Sequence, residues 1–322
     1  MDNGPVLVTG AAGFIGSHLS EALLAAGRPV VGYDNFDPFY DRSIKERNLE
    51  NLSGRDGFTL IEGDIRDREL LSKVFSEHRI ACVAHLAALA GVRPSIADPY
   101  RYQDVNVAGT SALLECARDA EVENFVFASS SSVYGNNEKT PFSEQDRVDH
   151  PISPYAATKK AGELICHCYH HLYQFPITCL RFFTVYGPRQ RPDLAIAKFT
   201  RLIDEGTPIP FFGDGTTRRD YTYVDDIISG VMASITHKAP FAIYNLGESE
   251  TTTLVDLVRR IEGALGKEAV LDRQPFQPGD VPVTYADISL ARTELGYDPS
   301  TPISEGIPRY VEWYRQQKEN GS

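Results

Sequence analysis

An α/β fold, with a doubly wound parallel sheet and a smaller mixed α/β domain, is predicted by three features of this 322-residue sequence. A short Val-rich run, Pro5 to Thr9, breaks into glycines 10, 13 and 16 and continues as the helical stretch Ser17 to Ala26, which is a buried strand turning into a helix. Further short apolar runs follow, with a long helical pattern at Asp98 to Ala120 between two of them. A hydroxyl-rich strand end, Phe127 to Gly135, then leads to a helix opening Tyr-Ala-Ala-Thr-Lys at 155–159. Together these give the Rossmann type of sheet.

The bulk composition narrows the partners. At 42% hydrophobic and 24% charged residues the chain is ordinary globular material, enough for one large or two modest cores. A net charge of -12 argues against nucleic acid, while leaving room for an anionic small ligand at a local arginine cluster. Five cysteines (Cys82, Cys116, Cys166, Cys168, Cys179) form no framework, which suggests reduced thiols and a cytoplasmic protein. The first strand begins almost at once, with no signal-peptide pattern, and no apolar run approaches ~18 residues, so no membrane partner is expected.

Each element has its own logic. Gly10, Gly13 and Gly16 let the backbone turn tightly, and the N–H groups around Phe14, Ile15 and Gly16 can bind a pyrophosphate at the helix N-terminus. The spacing is GxxGxxG, not GxGxxG, and a purely structural turn is the alternative. The second strand, Pro29 to Asn35, ends in Asp34-Asn35, where a carboxylate can accept hydrogen bonds from an adenosine ribose and would repel a 2'-phosphate. NAD is therefore favoured over NADP; a turn or cap aspartate is the other reading. Asp64-Ile65 follows a third strand from Phe58, and Leu86, Ala87 and Ala88 end a fourth that starts at Ile80, small enough for backbone to lie against a cofactor. Asn106, polar on a partly apolar helix face, reads as a hydrogen-bond partner for a strand end. The fifth strand, Asn124 to Ala128, carries the serines 129–132 to the sheet's carboxyl edge.

Tyr155 and Lys159 lie one turn apart, so phenol and ammonium share a face and can meet. A tyrosine with pKa near ~10 needs a shift of about 3 units, roughly 4 kcal/mol, to serve as a base near neutrality. One cation ~6 Å away supplies about 2 to 3 kcal/mol at an effective dielectric of ~20, so a second positive charge is needed. An oxidised nicotinamide would provide it.

TGAAGFIG, Asp34, Asp64-Ile65, SSSSVYG and YAATK, in this order, resemble the extended short-chain dehydrogenase/reductase family of nucleotide-sugar epimerases and dehydratases over nearly the whole chain. The resemblance implies an NAD-binding domain over 1–181, with later segments free to return to it, and a mainly nucleotide-sugar-binding domain over 182–322. It also implies Ser130 as the catalytic hydroxyl, Tyr155 as acid/base, Lys159 as activator and ribose ligand, and a homodimer built through the Asp98 to Ala120 helix and the Tyr155 helix. The dehydratases of the family carry Asp-Glu after the catalytic hydroxyl, and its decarboxylating members a glutamate. Here Ser131 and Ser132 stand instead and cannot ionise usefully, which leaves reversible oxidation, hence epimerisation.

Three arginines, Arg181, Arg189 and Arg191, crowd the proline-punctuated stretch after the sixth strand, and Asp193 reads as the N-cap of the helix that follows. The segment is similar to that of UDP-glucuronate 4-epimerases, which implies that Thr184 and Arg191 hold a sugar carboxylate, a task suited to a guanidinium fork. A surface ion pair is the alternative for Arg191. The resemblance further assigns Arg93 to the substrate, Arg219 to its diphosphate and Asp280 to the uridine ribose, with Gln277 where some relatives carry an arginine. The expected activity is NAD-dependent 4-epimerisation of UDP-glucuronate to UDP-galacturonate. Epimerisation of UDP-glucose or UDP-N-acetylglucosamine, and a non-catalytic NAD-binding scaffold, are the alternatives. His167 and His171, four apart on a helix, lack an evident third metal ligand, so no metal is expected.

Overall fold

A computed structural model describes residues 4–276 and 279–320; Gln277 lies outside them. The strands in chain order are β1 (Val6–Thr9), β2 (Val30–Asp34), β3 (Phe58–Glu62), β4 (Cys82–His85), β5 (Asn124–Ser130), β6 (Ile177–Phe182), β7 (Thr184–Tyr186), β8 (Ile209–Phe212), β9 (Arg218–Arg219), β10 (Tyr221–Tyr223), β11 (Phe241–Leu246), β12 (Thr252–Thr253) and β13 (Leu271–Gln274). Seven of them form one parallel sheet in the order β11-β6-β5-β4-β1-β2-β3. The chain winds outward from β1 to β3, then returns to β4 on the other side of β1, so a crevice opens at the carboxyl ends of β1 and β4.

Both faces of this sheet are covered, which is why its central strands are apolar without alternation. The two-residue period still shows in what each side chain joins. Val6, Val8, Ala84 and Val126 pack into one core with helix α1 (Phe14–Ala25) and the C-terminal half, while Leu7, Val83, Phe125 and Phe127 pack into the other. The first core runs without a break into Phe199, Ile209, Leu257 and Tyr310 of the C-terminal half. That half also returns β11 to the main sheet beside β6, and pairs β7 with β10, β8 with β13 and β9 with β12.

The long helix expected from Asp98 is realised as Pro99–Gln103 and Gly109–Asp119 joined by a π-turn, Asp104–Ala108. Asn106 sits in that widened turn and brackets one residue of the loop after β4. Its amide accepts from the Leu89 N–H (2.8 Å) and donates to the Leu89 carbonyl (2.9 Å), with a further bond to Thr158 (3.1 Å). No helix among the described residues is long and apolar enough to cross a membrane.

Candidate active site

The switch-point crevice is a cleft of about 480 Å³, and most of the residues singled out in the sequence line it. At its floor Gly10 has φ +73°, and a Cβ there would stand 2.9 Å from the Ala87 nitrogen; at Gly16 one would stand 2.1 Å from the Gly10 oxygen. Only glycine fits either place. Gly13 caps α1 without a side-chain bond, so the first amides of α1, at Phe14, Ile15 and Gly16, meet the cleft rather than a capping side chain. Leu86, Ala87, Ala88 and Ile65 form the adjoining wall.

Asp34, 6% exposed, accepts from the N–H groups of Ala12 (3.1 Å) and Phe36 (2.8 Å). The buried Lys45 ammonium lies 3.4 Å from its Oδ1. A carboxylate has about four acceptor sites, and these three bonds leave one for a ribose hydroxyl. Lys45 escaped the sequence reading because its helix, Arg42–Asn48, folds back over the end of β2; the only signal was a cation eleven residues beyond Asp34. Asn35 donates to Asp64 (2.9 Å), whose carboxylate is forked by Arg66 at 2.8 Å on each oxygen. The Arg66 guanidinium holds Asp64 down to about 2. Asp64 thus braces the rim, and Ile65 is the member of that pair that lines the cleft.

Ser153 caps the helix Pro154–Tyr173, accepting from the Ala156 N–H (3.1 Å), and this places Tyr155 in the first turn beside the strand end of β5. The phenol and the ammonium do not meet. Lys159, 4% exposed, donates to the Ala128 carbonyl (2.7 Å) over the Phe127 ring (5.2 Å), because a buried ammonium must have an acceptor and β5 offers one. Burial lowers Lys159 to about 8. Burial raises Tyr155 above its ordinary value, and the neighbours that pull it back are the Ser130 hydroxyl and the Arg191 guanidinium. Ser130 donates to the Ser132 hydroxyl (3.1 Å), while Ser129, pointing to the opposite side of the strand, donates to Glu163 (2.6 Å).

A buried relay stiffens the wall behind these groups and was missed from sequence, since its members meet only across strands. Thr9 accepts from the Ala87 N–H (3.2 Å) and is bonded to His85 Nδ1 (2.8 Å); His85 Nε2 meets Thr110 (2.9 Å), which donates to the Asn106 carbonyl (2.6 Å). This order fixes the imidazole with its proton on Nε2. Burial holds His85 down to about 3, so it stays neutral.

The three arginines after β6 separate. Arg181 is buried inside β6, bonded to Glu163 (2.8 and 2.9 Å) and to the Tyr134 hydroxyl (2.9 Å). Arg189 reaches back to Glu21 (2.7 Å) and Ser17 (3.1 Å) on α1. Arg191 alone of the three lines the cleft, with Thr184 at the start of β7. Asp193 is not the N-cap expected of it: the next helix, Ala195–Asp204, starts after Leu194 with no side-chain cap, and the Asp193 carboxylate is forked onto Arg191 at 3.0 and 2.8 Å. Arg93 and Asp280 pair at 2.9 Å across the chain, with the Arg93 guanidinium 4.5 Å from the Phe212 ring centroid. Burial lowers Arg219, against the pull of Asp280, which puts these three in one neighbourhood apart from the glycine turn. His167 and His171 stack ring on ring, and His167 packs edge-on against Phe241.

A glycine-floored cleft at the switch point of a doubly wound sheet, faced by a tyrosine from the neighbouring helix, is the architecture of a dinucleotide-using α/β protein. Within that class the chain belongs to the family described as GDP-mannose 4,6 dehydratase, whose model matches residues 7–310. UDP-glucuronate 4-epimerase 1 of Arabidopsis thaliana is 47% identical over 329 residues, covering 96% of this chain and 76% of the plant protein. The solved UDP-glucuronic acid 4-epimerase of Bacillus cereus, in complex with UDP-glucuronic acid and NAD, is 40% identical with a TM-score of 0.91, covering 97% of this chain and 99% of that one. A UDP-glucose 4-epimerase of Thermotoga maritima, solved with UDP-glucose, is 32% identical with a TM-score of 0.89, covering 98% and 99%.

Proposed function

We propose that this protein is an NAD-dependent UDP-glucuronate 4-epimerase, interconverting UDP-glucuronate and UDP-galacturonate through a 4-keto sugar. The observation that carries the reading is Arg191: a guanidinium in the same cleft as Ser130 and Tyr155, close enough to act on the phenol, in a chain whose named relatives include UDP-glucuronate 4-epimerases. Ser131 and Ser132 supply no acid/base pair for water loss.

The residues fit NAD. The glycine turn and the first amides of α1 would hold the pyrophosphate and Asp34 the adenosine ribose, with Asn35, Asp64 and Ile65 along the same edge and Lys159 on the second ribose. When bound, NAD accepts a hydride from C4 of the sugar and returns it to the opposite face, so no net redox change results. Tyr155 takes the proton of the 4-hydroxyl and later gives it back, and Ser130 hydrogen-bonds the same oxygen. Burial alone works against an ionised phenol; the cations around it must supply the difference. Arg191 and Thr184 hold the sugar carboxylate, and Arg93, Arg219 and Asp280 hold the UDP end. Because the 4-keto uronate is a β-keto acid, its carboxylate must be kept out of alignment for C–C cleavage, and a misplacement of ~1 Å can cost ~100-fold in rate.

The protein is cytoplasmic and a homodimer in this reading. The helix Pro154–Tyr173 leaves Leu164 and Leu172 exposed, 56% and 66%, and Tyr100 is 80% exposed on the neighbouring helix, an apolar face for a second copy. A neutral UDP-hexose is the second reading, favoured by one fact: Arg191 already carries a carboxylate, Asp193. Competition of UDP-glucose with UDP-glucuronate, followed by NMR of the products, separates the two, and preference for the neutral sugar overturns the first. Arg191→Ala should abolish turnover of UDP-glucuronate or divert it to a 4-keto-pentose; unchanged activity removes the assignment.

A further inference from the structure

Arg191 has five N–H groups, and Asp193 takes two of them, on Nε and Nη2, at 3.0 and 2.8 Å. No other hydrogen bond from Arg191 is formed among the described residues. The occupied edge is the side of the fork; the free edge is its end, between Nη1 and Nη2. The guanidinium is further fixed 5.2 Å from the centroid of the Phe39 ring, and its side chain is 16% exposed, whereas that of Asp193 is 42% exposed. One carboxylate from the chain thus pins the side of the fork while the end remains for a second carboxylate. A guanidinium held by Nε cannot turn about its last bond without breaking two hydrogen bonds at once.

We infer that Asp193 is a positioning residue that sets the angle at which Arg191 meets the substrate carboxylate, and so decides whether the keto sugar is epimerised or loses carbon dioxide. The inference rests on the uronate reading above. In the side reaction the C5–C6 bond breaks, its electron pair passes through C5 to the C4 oxygen as an enolate, carbon dioxide leaves, and C5 takes a proton from water to give the 4-keto-pentose. The two electrons removed from C4 stay behind on the cofactor. This cleavage requires the C5–C6 bond to stand parallel to the carbonyl π system. A fork fixed in angle keeps the carboxylate away from that alignment, and a fork free to rotate does not.

The test compares Asp193→Asn, Asp193→Glu and Arg191→Ala with the unaltered enzyme, on UDP-glucuronate and on UDP-glucose. Asn keeps one acceptor and loses the fork. In Asp193→Asn, kcat for UDP-glucuronate epimerisation is expected to fall about 10-fold or more, within the range a ~1 Å misplacement gives, and the keto-pentose fraction to rise. KM for UDP-glucuronate should stay level or fall, since the remaining arginine charge is no longer neutralised. Epimerisation of UDP-glucose, if any, should be unaltered, and Asp193→Glu should recover part of the product ratio. A normal kcat and product ratio in Asp193→Asn, or a raised KM as the sole effect, overturns the inference. If instead Arg191→Ala leaves KM and kcat for UDP-glucuronate unchanged, the uronate reading itself fails. Thermal melts of the variants report folding separately from both.

Discussion

Tyr155 and Lys159 divide between them two tasks that a shared helix face suggested they would perform together. The ammonium is tied to a backbone carbonyl, so its effect on the phenol is that of a charge in the wall, while Ser130 and Arg191 act on the phenol directly. Tyr155→Phe is expected to lower kcat by roughly 10²- to 10⁴-fold and to leave NAD affinity, read by fluorescence quenching, unchanged; full activity would remove the tyrosine from the chemistry. Lys159 also makes a pH prediction. Its folded pKa is depressed from 10.5 to about 8 by burial, so the charged form costs the folded state stability below pH 8, and the cost is relieved as pH rises from 8 towards 10.5. The stability of Lys159→Met relative to wild type should therefore decline by about 3 kcal/mol over that window, measured by urea unfolding. The glycines, Asp34, Ser130, Tyr155 and Lys159 were legible in the sequence because each stands at the end of a strand or in the first turns of a helix, places that apolar runs and caps mark locally. Thr9 and His85 were not, because their partners are supplied by strand adjacency that no local pattern encodes, nor was Lys45, whose helix folds back over the end of β2.

At the scale of the element, the helix Pro154–Tyr173 is locked to the sheet by a buried charge cluster. Glu163 and Arg181 have side chains 1% and 2% exposed, with Ser129, Lys160 and Tyr134 completing the bonds. Burial pushes the Glu163 carboxyl up, and the Arg181 fork outweighs it, so the net direction is down. Glu163→Gln leaves Arg181 a buried unpaired cation and should cost about 3–5 kcal/mol by chemical denaturation; a loss under about 1 kcal/mol would show the pair to be dispensable. Gly16→Ala, by contrast, drives a methyl into the Gly10 carbonyl, and calorimetry should find NAD binding lost. Strand and helix order was readable from apolar runs and caps. The π-turn at Asp104–Ala108 was not, since it arises from Asn106 grasping Leu89 rather than from any periodicity, and Arg181 looked like a loop cation only because its partner is 18 residues away on a helix.

Across the whole molecule, the C-terminal half is tied in by burial as well as by β11. Asp220, fully buried, accepts from the N–H groups of Glu248 (2.8 Å), Ser249 (3.1 Å) and Ala286 (3.0 Å), and its own N–H neighbour in the chain, Tyr221, opens the strand that pairs with Thr184. Burial raises Asp220 to about 6, and burial together with Asp226 and Asp220 raises Glu248 to about 8. Both folded values stand above the unfolded ones, so stability from these groups is fully present at low pH and is lost as pH rises through 6 and then 8. Glu248→Gln should flatten the decline of Tm between about pH 4.5 and 8; an unaltered profile would remove Glu248 from it. The return of β11 to the sheet is the feature least visible in sequence, because a pairing of strands some sixty residues apart leaves no local mark.

The central claim is that the sugar's C4 hydrogen leaves one face and returns to the other without exchanging with water, and UDP-glucuronate deuterated at C4 tests it most directly. The account predicts that NMR of the product will show UDP-galacturonate with the deuterium retained at C4. Deuterium lost to solvent, or no galacturonate formed, would contradict it.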